Sequence, residues 1–157
     1  MPIVYVKRYT RQQIMNDLES LYVFGDNFKR VGLGGQAKEA RGEPNAVGIA
    51  TKLAPHNGPD AFLNDNMMLV WLTMELKAFV RLHRHLEAGG TVYWPEDGIG
   101  TGLANLQANA PKILALIEHL LSILVLVGER EHRLSEGREC QPGPTTSHET
   151  KSLQDPA

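Results

Sequence analysis

The stretch LYVFGDNFKRVGLGGQAKEAR, residues 21–41, decides the fold. Residues 21–24 are a compact run of β-formers, apolar apart from one tyrosine hydroxyl, and read as a strand that stops at Gly25-Asp26-Asn27. Gly32, Gly34 and Gly35 then make a loop, and residues 35–41 suit a short helix stopped by Gly42 and Pro44. Strand, glycine loop, helix is the signature of an α/β unit. The same succession recurs downstream. Residues 91–94 (Thr-Val-Tyr-Trp) read as a strand closed by Pro95, the loop Gly98-Ile-Gly-Thr-Gly-Leu-Ala follows, and Pro111 opens a helix, where its missing N–H costs nothing.

Between and before these units lie elements of the same kinds. Residues 3–6 read as a strand, 10–20 as a short helix opened by Thr10, and 46–51 as a third strand. Residues 53–64 form a breaker-rich loop. A long helix is predicted over 65–88, with Met68, Leu72, Leu76, Phe79, Val80 and Leu86 as its apolar stripe and Gly89-Gly90 as its stop. Ile113, Leu116, Ile117, Leu120, Leu121 and Leu124 supply the buried face of the helix after Pro111, and residues 123–127 fit either its continuation or a last strand. The alternation predicts a three-layer α/β domain over residues 1–127 with a mainly parallel or mixed central sheet. From Gly128 the composition turns polar and breaker-rich, so residues 128–157 are expected to be a disordered tail.

Composition bounds the function. The chain has 157 residues, 16 Lys and Arg against 18 Asp and Glu, and a net charge of -2. Six of the acids and four of the bases fall after residue 127, which leaves twelve of each in the domain. A neutral domain argues against nucleic acid as the partner, because phosphate-backbone binding needs a basic excess. One cysteine excludes a disulfide framework and a Cys-rich metal cluster, and no metal or other cofactor is expected. The N-terminal segment lacks a long apolar stretch and no 18-residue apolar run stands out, so a cytoplasmic protein without a membrane partner is expected.

Glycine marks where chemistry would sit. Of 15 glycines, six fall in residues 25–48 and five in 89–102. Both clusters follow a strand and precede a helix, where an open α/β sheet places its ligands and backbone N–H groups can hold phosphate. Neither cluster is a Walker loop, which argues against nucleoside triphosphate hydrolysis, and neither is a full GxGxxG. Plain turn-making is the competing account of each loop taken alone.

Taken together, four motifs carry a resemblance. Phe24-Gly25-Asp26-Asn27, Gly32-Leu-Gly34-Gly35-Gln36-Ala37, Ile49-Ala-Thr51-Lys52 and Pro95-Glu-Asp97-Gly98-Ile99-Gly100-Thr101-Gly102-Leu103 occur in an order that resembles the macrodomain family of ADP-ribose-binding α/β modules. The likeness is closest to its terminal ADP-ribose glycohydrolase branch and covers residues 20–124. The chain is also similar to an uncharacterised bacterial and phage family with the run GDN…GxGGQA…PNAxGIxTK. The resemblance implies that ADP-ribose, or an ADP-ribosylated substrate, is the partner. It implies that Gly32, Gly34, Gly35 and Gln36 wrap the distal ribose and one phosphate. Gly98, Ile99, Gly100, Thr101, Gly102 and Leu103 would cradle the diphosphate, with Asp26, Asn27 and Thr51 completing the site. Lys52 matches the lysine that, in this branch, attacks the distal ribose, so hydrolysis of an ADP-ribosyl linkage is one implied activity; reading such a modification without turnover is the other. The branch places an aspartate directly after Gly-x-Gly-Leu, where this chain has Ala104. Asp97 and Asp26 are the nearest carboxylates that could replace it as general acid or base, and both also fit turns.

The remaining side chains carry weaker signals. His83 and His85 are two apart on a helix and point in different directions, which argues against a shared metal. His56 lies in the breaker-rich loop, and Trp94 is either core or an adenine neighbour beside Pro95. Lys29, Arg30, Lys38 and Arg41 form either a solvated basic face or an attraction for diphosphate.

Overall fold

The computed structural model describes residues 2–139. Four strands form one sheet: β1 (Ile3–Val6), β2 (Leu21–Asn27), β3 (Ala46–Lys52) and β4 (Val92–Pro95). Their spatial order is β1-β4-β2-β3 and every pairing is parallel. Helices α1 (Arg11–Asn16), α2 (Ala37–Ala40), α3 (Met68–Glu87), α4 (Leu106–Asn109) and α5 (Pro111–Glu139) make the connections, with 3₁₀ turns at Pro59–Ala61 and Asp65–Met67. The chain is therefore an α/β protein with an all-parallel sheet; no antiparallel strand mixes in among the described residues.

The sheet buries both faces, as parallel sheets do. Leu21 and Val23 of β2 point into a large core with Trp71, Phe79, Leu82 and Leu86 of α3 and Ile113, Ile117 and Leu124 of α5. Tyr22 and Phe24, one residue out of phase, join a smaller cluster with Tyr9, Ile14 of α1, and Ala37 and Ala40 of α2. The period of two divides one short strand between two cores. Thr10 opens α1 with a capping box closed by Gln13. Asn45 is a buried staple rather than a free loop residue: its Nδ2 donates to the carbonyls of Ile14, Asp17 and Ser20.

The structure differs from the sequence reading in several places. α1 ends at Asn16, short of residue 20, and residues 65–67 are a 3₁₀ turn ahead of α3. β2 does not stop at Gly25; it runs through Asp26 and Asn27 because β3 continues to pair with it, with a bulge between those two residues. α2 is shorter than residues 35–41. The buried stripe of α3 is Trp71, Glu75, Phe79, Leu82 and Leu86, whereas Leu76 is 50% exposed and Val80 is 37% exposed. The apolar groups Trp71, Phe79, Leu82 and Leu86 set that face, and the carboxylate of Glu75 in its middle hides the stripe in the sequence. Finally, residues 123–127 are helical, and α5 passes through Gly128 to Glu139, so the expected tail boundary at 128 is moved by a further twelve helical residues. Residues 140–157, with Cys140, lie outside the described part.

α5 also bears on the membrane reading. Pro111–Arg138 is long and apolar enough to cross a membrane by length and composition, with a window of mean hydropathy 1.8. Glu118 and His119 interrupt the run, which hid it in the sequence. The helix packs against α3, and its Ile113, Ile117 and Leu124 join the main core.

Candidate functional site

Strand order places the site. The connections leaving β1 and β2 run through α1 and α2 on one face of the sheet, and β4, lying between these strands, leads to α4 and α5 on the other. Loops that depart from neighbouring strands in opposite directions leave a crevice at the carboxyl ends. Here that crevice is a cleft of about 770 Å³, within the range of about 300–1,000 Å³ usual for ligand sites.

Every candidate residue from the sequence borders this cleft: Asp26, Asn27, Gly32, Gly34, Gly35, Gln36, Thr51, Lys52, Asp97 and all of Gly98 to Leu103. Its walls are mostly backbone. The N–H groups of residues 31–36 and of residues 99–104 donate to no acceptor among the described residues, although amides on either side of each run do. The second loop is held by its own turns, Gly98 N–H to the Pro95 carbonyl (2.9 Å) and Leu106 N–H to the Gly100 carbonyl (2.9 Å). Gly100 has φ +79, and a Cβ there would meet Leu106 Cγ at 2.8 Å and Thr51 Cγ2 at 3.3 Å. Only glycine fits that position.

Behind the first loop lies a charge network. Asp26 is buried, and Arg41 clamps both of its oxygens, Nη2 to Oδ1 at 2.5 Å and Nη1 to Oδ2 at 3.2 Å. Arg30 Nη1 approaches Oδ2 at 3.4 Å, and Asn27 N–H donates to Oδ1 at 2.8 Å. A Cβ on Gly48 in the adjacent strand would strike this carboxylate, 2.7 Å from Oδ2. Arg30 and Arg41 are thus not free cations: Arg41 is spent on Asp26, and Arg30 on Glu75 and Asp26. Burial opposes the Arg30 charge, and Glu75 and Asp26 more than offset this, so its pKa rises. Asn27 is also buried. Its Nδ2 donates to the Val31 carbonyl (2.8 Å), while its Oδ1 has no donor among the described residues. Thr51 Oγ1 donates to the Asp26 carbonyl at 3.2 Å.

Lys52 is 7% exposed and its amine is held by two oxygens and an aromatic ring. Nζ donates to the His56 carbonyl (2.6 Å) and to Asn57 Oδ1 (3.0 Å), and lies 4.7 Å from the centre of the Phe62 ring. This pocket of acceptors solvates an ammonium. His56 serves that loop, its Nδ1 accepting from Gly58 N–H. Asp97 is exposed at the cleft wall, with its carbonyl accepting from Thr101 Oγ1 at 2.9 Å. Ala104 is buried and borders the cleft. Trp94 is 1% exposed within the core, so it cannot flank a ligand base.

One wall escaped the sequence reading. Lys7, Arg8, Tyr9 and Thr10, leaving β1, also line the cleft. Tyr9 fixes this loop: its hydroxyl donates to the Val23 carbonyl (2.7 Å) and its carbonyl accepts from Gln36 Nε2 (2.7 Å). Glu96 N–H donates to the Val6 carbonyl (2.9 Å), which ties β1 to the second glycine loop as well. Lys7 and Arg8 are exposed. Neither forms an ion pair among the described residues. The signal that would have found them is the one used for β2 and β4, a polar loop at a strand's carboxyl end.

Fold and cleft together define a parallel α/β protein with a cleft lined by backbone amides at the carboxyl edge of the sheet. Within that class, the chain belongs to a family of unknown function, DUF7831, which it matches over residues 4–120. The match spans the whole sheet and both glycine loops. Neither the curated proteins nor the solved structures contain a match to this chain.

Proposed function

We propose that the cleft binds ADP-ribose or a related nucleoside diphosphate, and that the chain reads this ligand, free or attached to a partner, rather than turning it over. One observation carries the reading: two runs of unpaired backbone amides, residues 31–36 and 99–104, border one cleft. Such amides suit a diphosphate without requiring a basic domain. The ordered motifs, which resemble those of macrodomains, favour ADP-ribose within that chemistry. Helices on both faces of the sheet are what a three-layer macrodomain-like arrangement needs. Asn27 Oδ1, a buried acceptor lacking a donor, suits a ligand hydroxyl. Calorimetry with ADP-ribose tests the proposal. Saturable heat is expected, and no heat at millimolar ligand would sink it.

Hydrolysis through Lys52 is the second reading, supported by the position of this lysine on the cleft wall. A nucleophilic lysine needs a free amine, and here Nζ is bound by a carbonyl and an amide oxygen. Ala104 also leaves the position of the branch's aspartate without a carboxylate. The expected outcome is that wild-type protein releases no ADP-ribose from a modified substrate. Turnover abolished by Lys52→Ala would instead establish the enzyme.

A further inference from the structure

Glu75 is the least expected residue in the molecule. It lies in the middle of α3, is 0% exposed, and is flanked one turn away on each side by the core residues Trp71 and Phe79. For stability alone an apolar residue would serve this position at least as well, since burying an ion pair seldom repays its desolvation. Its two oxygens reach different places. Oε2 accepts the N–H of Ala50 in β3 (2.9 Å), next to Thr51 at the cleft. Oε1 pairs with Arg30 Nη2 (2.5 Å).

From Arg30 the connections run without a break to the first glycine loop. Arg30 Nη1 donates to the Gly48 carbonyl (3.2 Å) and approaches Asp26. Asp26 holds Arg41, whose Nε donates to the Gly32 carbonyl (2.8 Å) and whose Nη2 donates to the Val31 carbonyl (3.3 Å). Arg30 itself has φ +53, a left-handed conformation that is unfavourable for a non-glycine residue. Two carboxylates grip the guanidinium that extends from this strained backbone. The loop carbonyls are thereby pinned from beneath while the loop N–H groups stay unpaired beside the cleft.

We propose that Glu75 is a positioning residue for the cleft: through Arg30, Asp26 and Arg41 it sets the conformation of residues 31–36 and so the alignment of their amides. Its effect on affinity rests on the nucleotide-binding reading; its effect on the loop does not. Glu75→Gln keeps the volume and removes the charge. It is expected to lower thermal stability, to weaken ADP-ribose binding about five- to tenfold, and to lower the ¹⁵N order parameters of residues 31–36. The double variant Glu75→Gln/Arg30→Met leaves no buried charge unpaired, so most of the thermal stability should return while affinity and loop order stay low. A purely structural role predicts that all three return together, and that outcome overturns the proposal. Unchanged affinity and order in a folded Glu75→Gln protein overturn it too. Should Glu75→Gln fail to fold, the double variant decides alone. Should the wild-type protein bind no ADP-ribose, the functional reading falls, and the order parameters still decide the role of Glu75.

Discussion

Replacing Gly100 with alanine separates a backbone requirement from mere loop composition. At φ +79 the residue is in the left-handed region, which costs an L-residue about 1–2 kcal/mol. The new methyl would also sit 2.8 Å from Leu106 Cγ. Leu106 is 0% exposed and belongs to the main core, so it has nowhere to retreat. Overpacking of this sort costs about 1–3 kcal/mol. The sum is about 2–5 kcal/mol. In a domain of this size the melting temperature then falls by roughly 6–20 °C. Gly102, two residues on in the same loop, is the control. Its φ is not in the left-handed region and nothing lies within 4 Å of its Cβ position, so Gly102→Ala should stay within about 0.5 kcal/mol of wild type. Reversible thermal and urea unfolding of both variants is the assay. Equal stability of Gly100→Ala and Gly102→Ala would refute the reasoning, because the loop would then tolerate any small residue.

Two further outcomes follow from the same geometry. Lys7→Ala and Arg8→Ala remove cations that no carboxylate among the described residues partners. Each should weaken ADP-ribose binding about threefold near 50 mM salt, with the difference shrinking near 500 mM as the charges are screened; a deficit independent of salt in calorimetric titrations would reject an electrostatic role. Burial raises the pKa of Tyr9 above its ordinary value of 10.0, and the neighbouring Tyr22 adds to the shift. Below pH 10 both the folded and unfolded states hold the proton and stability is unaffected. Above it the unfolded chain ionises first, so stability falls as pH rises. Tyr9→Phe should reduce that alkaline slope by up to about 1.4 kcal/mol per pH unit, while costing about 1 kcal/mol at neutral pH for the lost bond to the Val23 carbonyl. Urea melts between pH 8 and pH 12, giving the same slope for both proteins, would count against it.

Local signals in the chain were enough for much of this. Alternating β-formers and glycines at strand ends do not depend on distant residues, so the element order, the glycine loops and their shared cleft were legible. Lys52, Asp26 and Asn27 were also legible as positions. Their states were not. Whether an amine beside a strand end is free or bound depends on where the loop of residues 56–62 folds back, and that is a tertiary matter.

What the sequence by itself determined is the α/β class and the backbone-lined cleft, since both follow from period, punctuation and the chemistry of N–H groups. Only the tertiary structure decided how charge is spent. Arg30 and Arg41 look like surface cations until β2 and α3 bring Asp26 and Glu75 to them. α3 looks like a helix with its stripe at Leu72 and Leu76 until packing buries Trp71, Phe79, Leu82 and Leu86 together with Glu75. Ion pairs between residues as far apart as Arg30 and Glu75 leave no periodic trace in the chain, because neither partner's position constrains its own neighbours. They exist only once the sheet and helix have met.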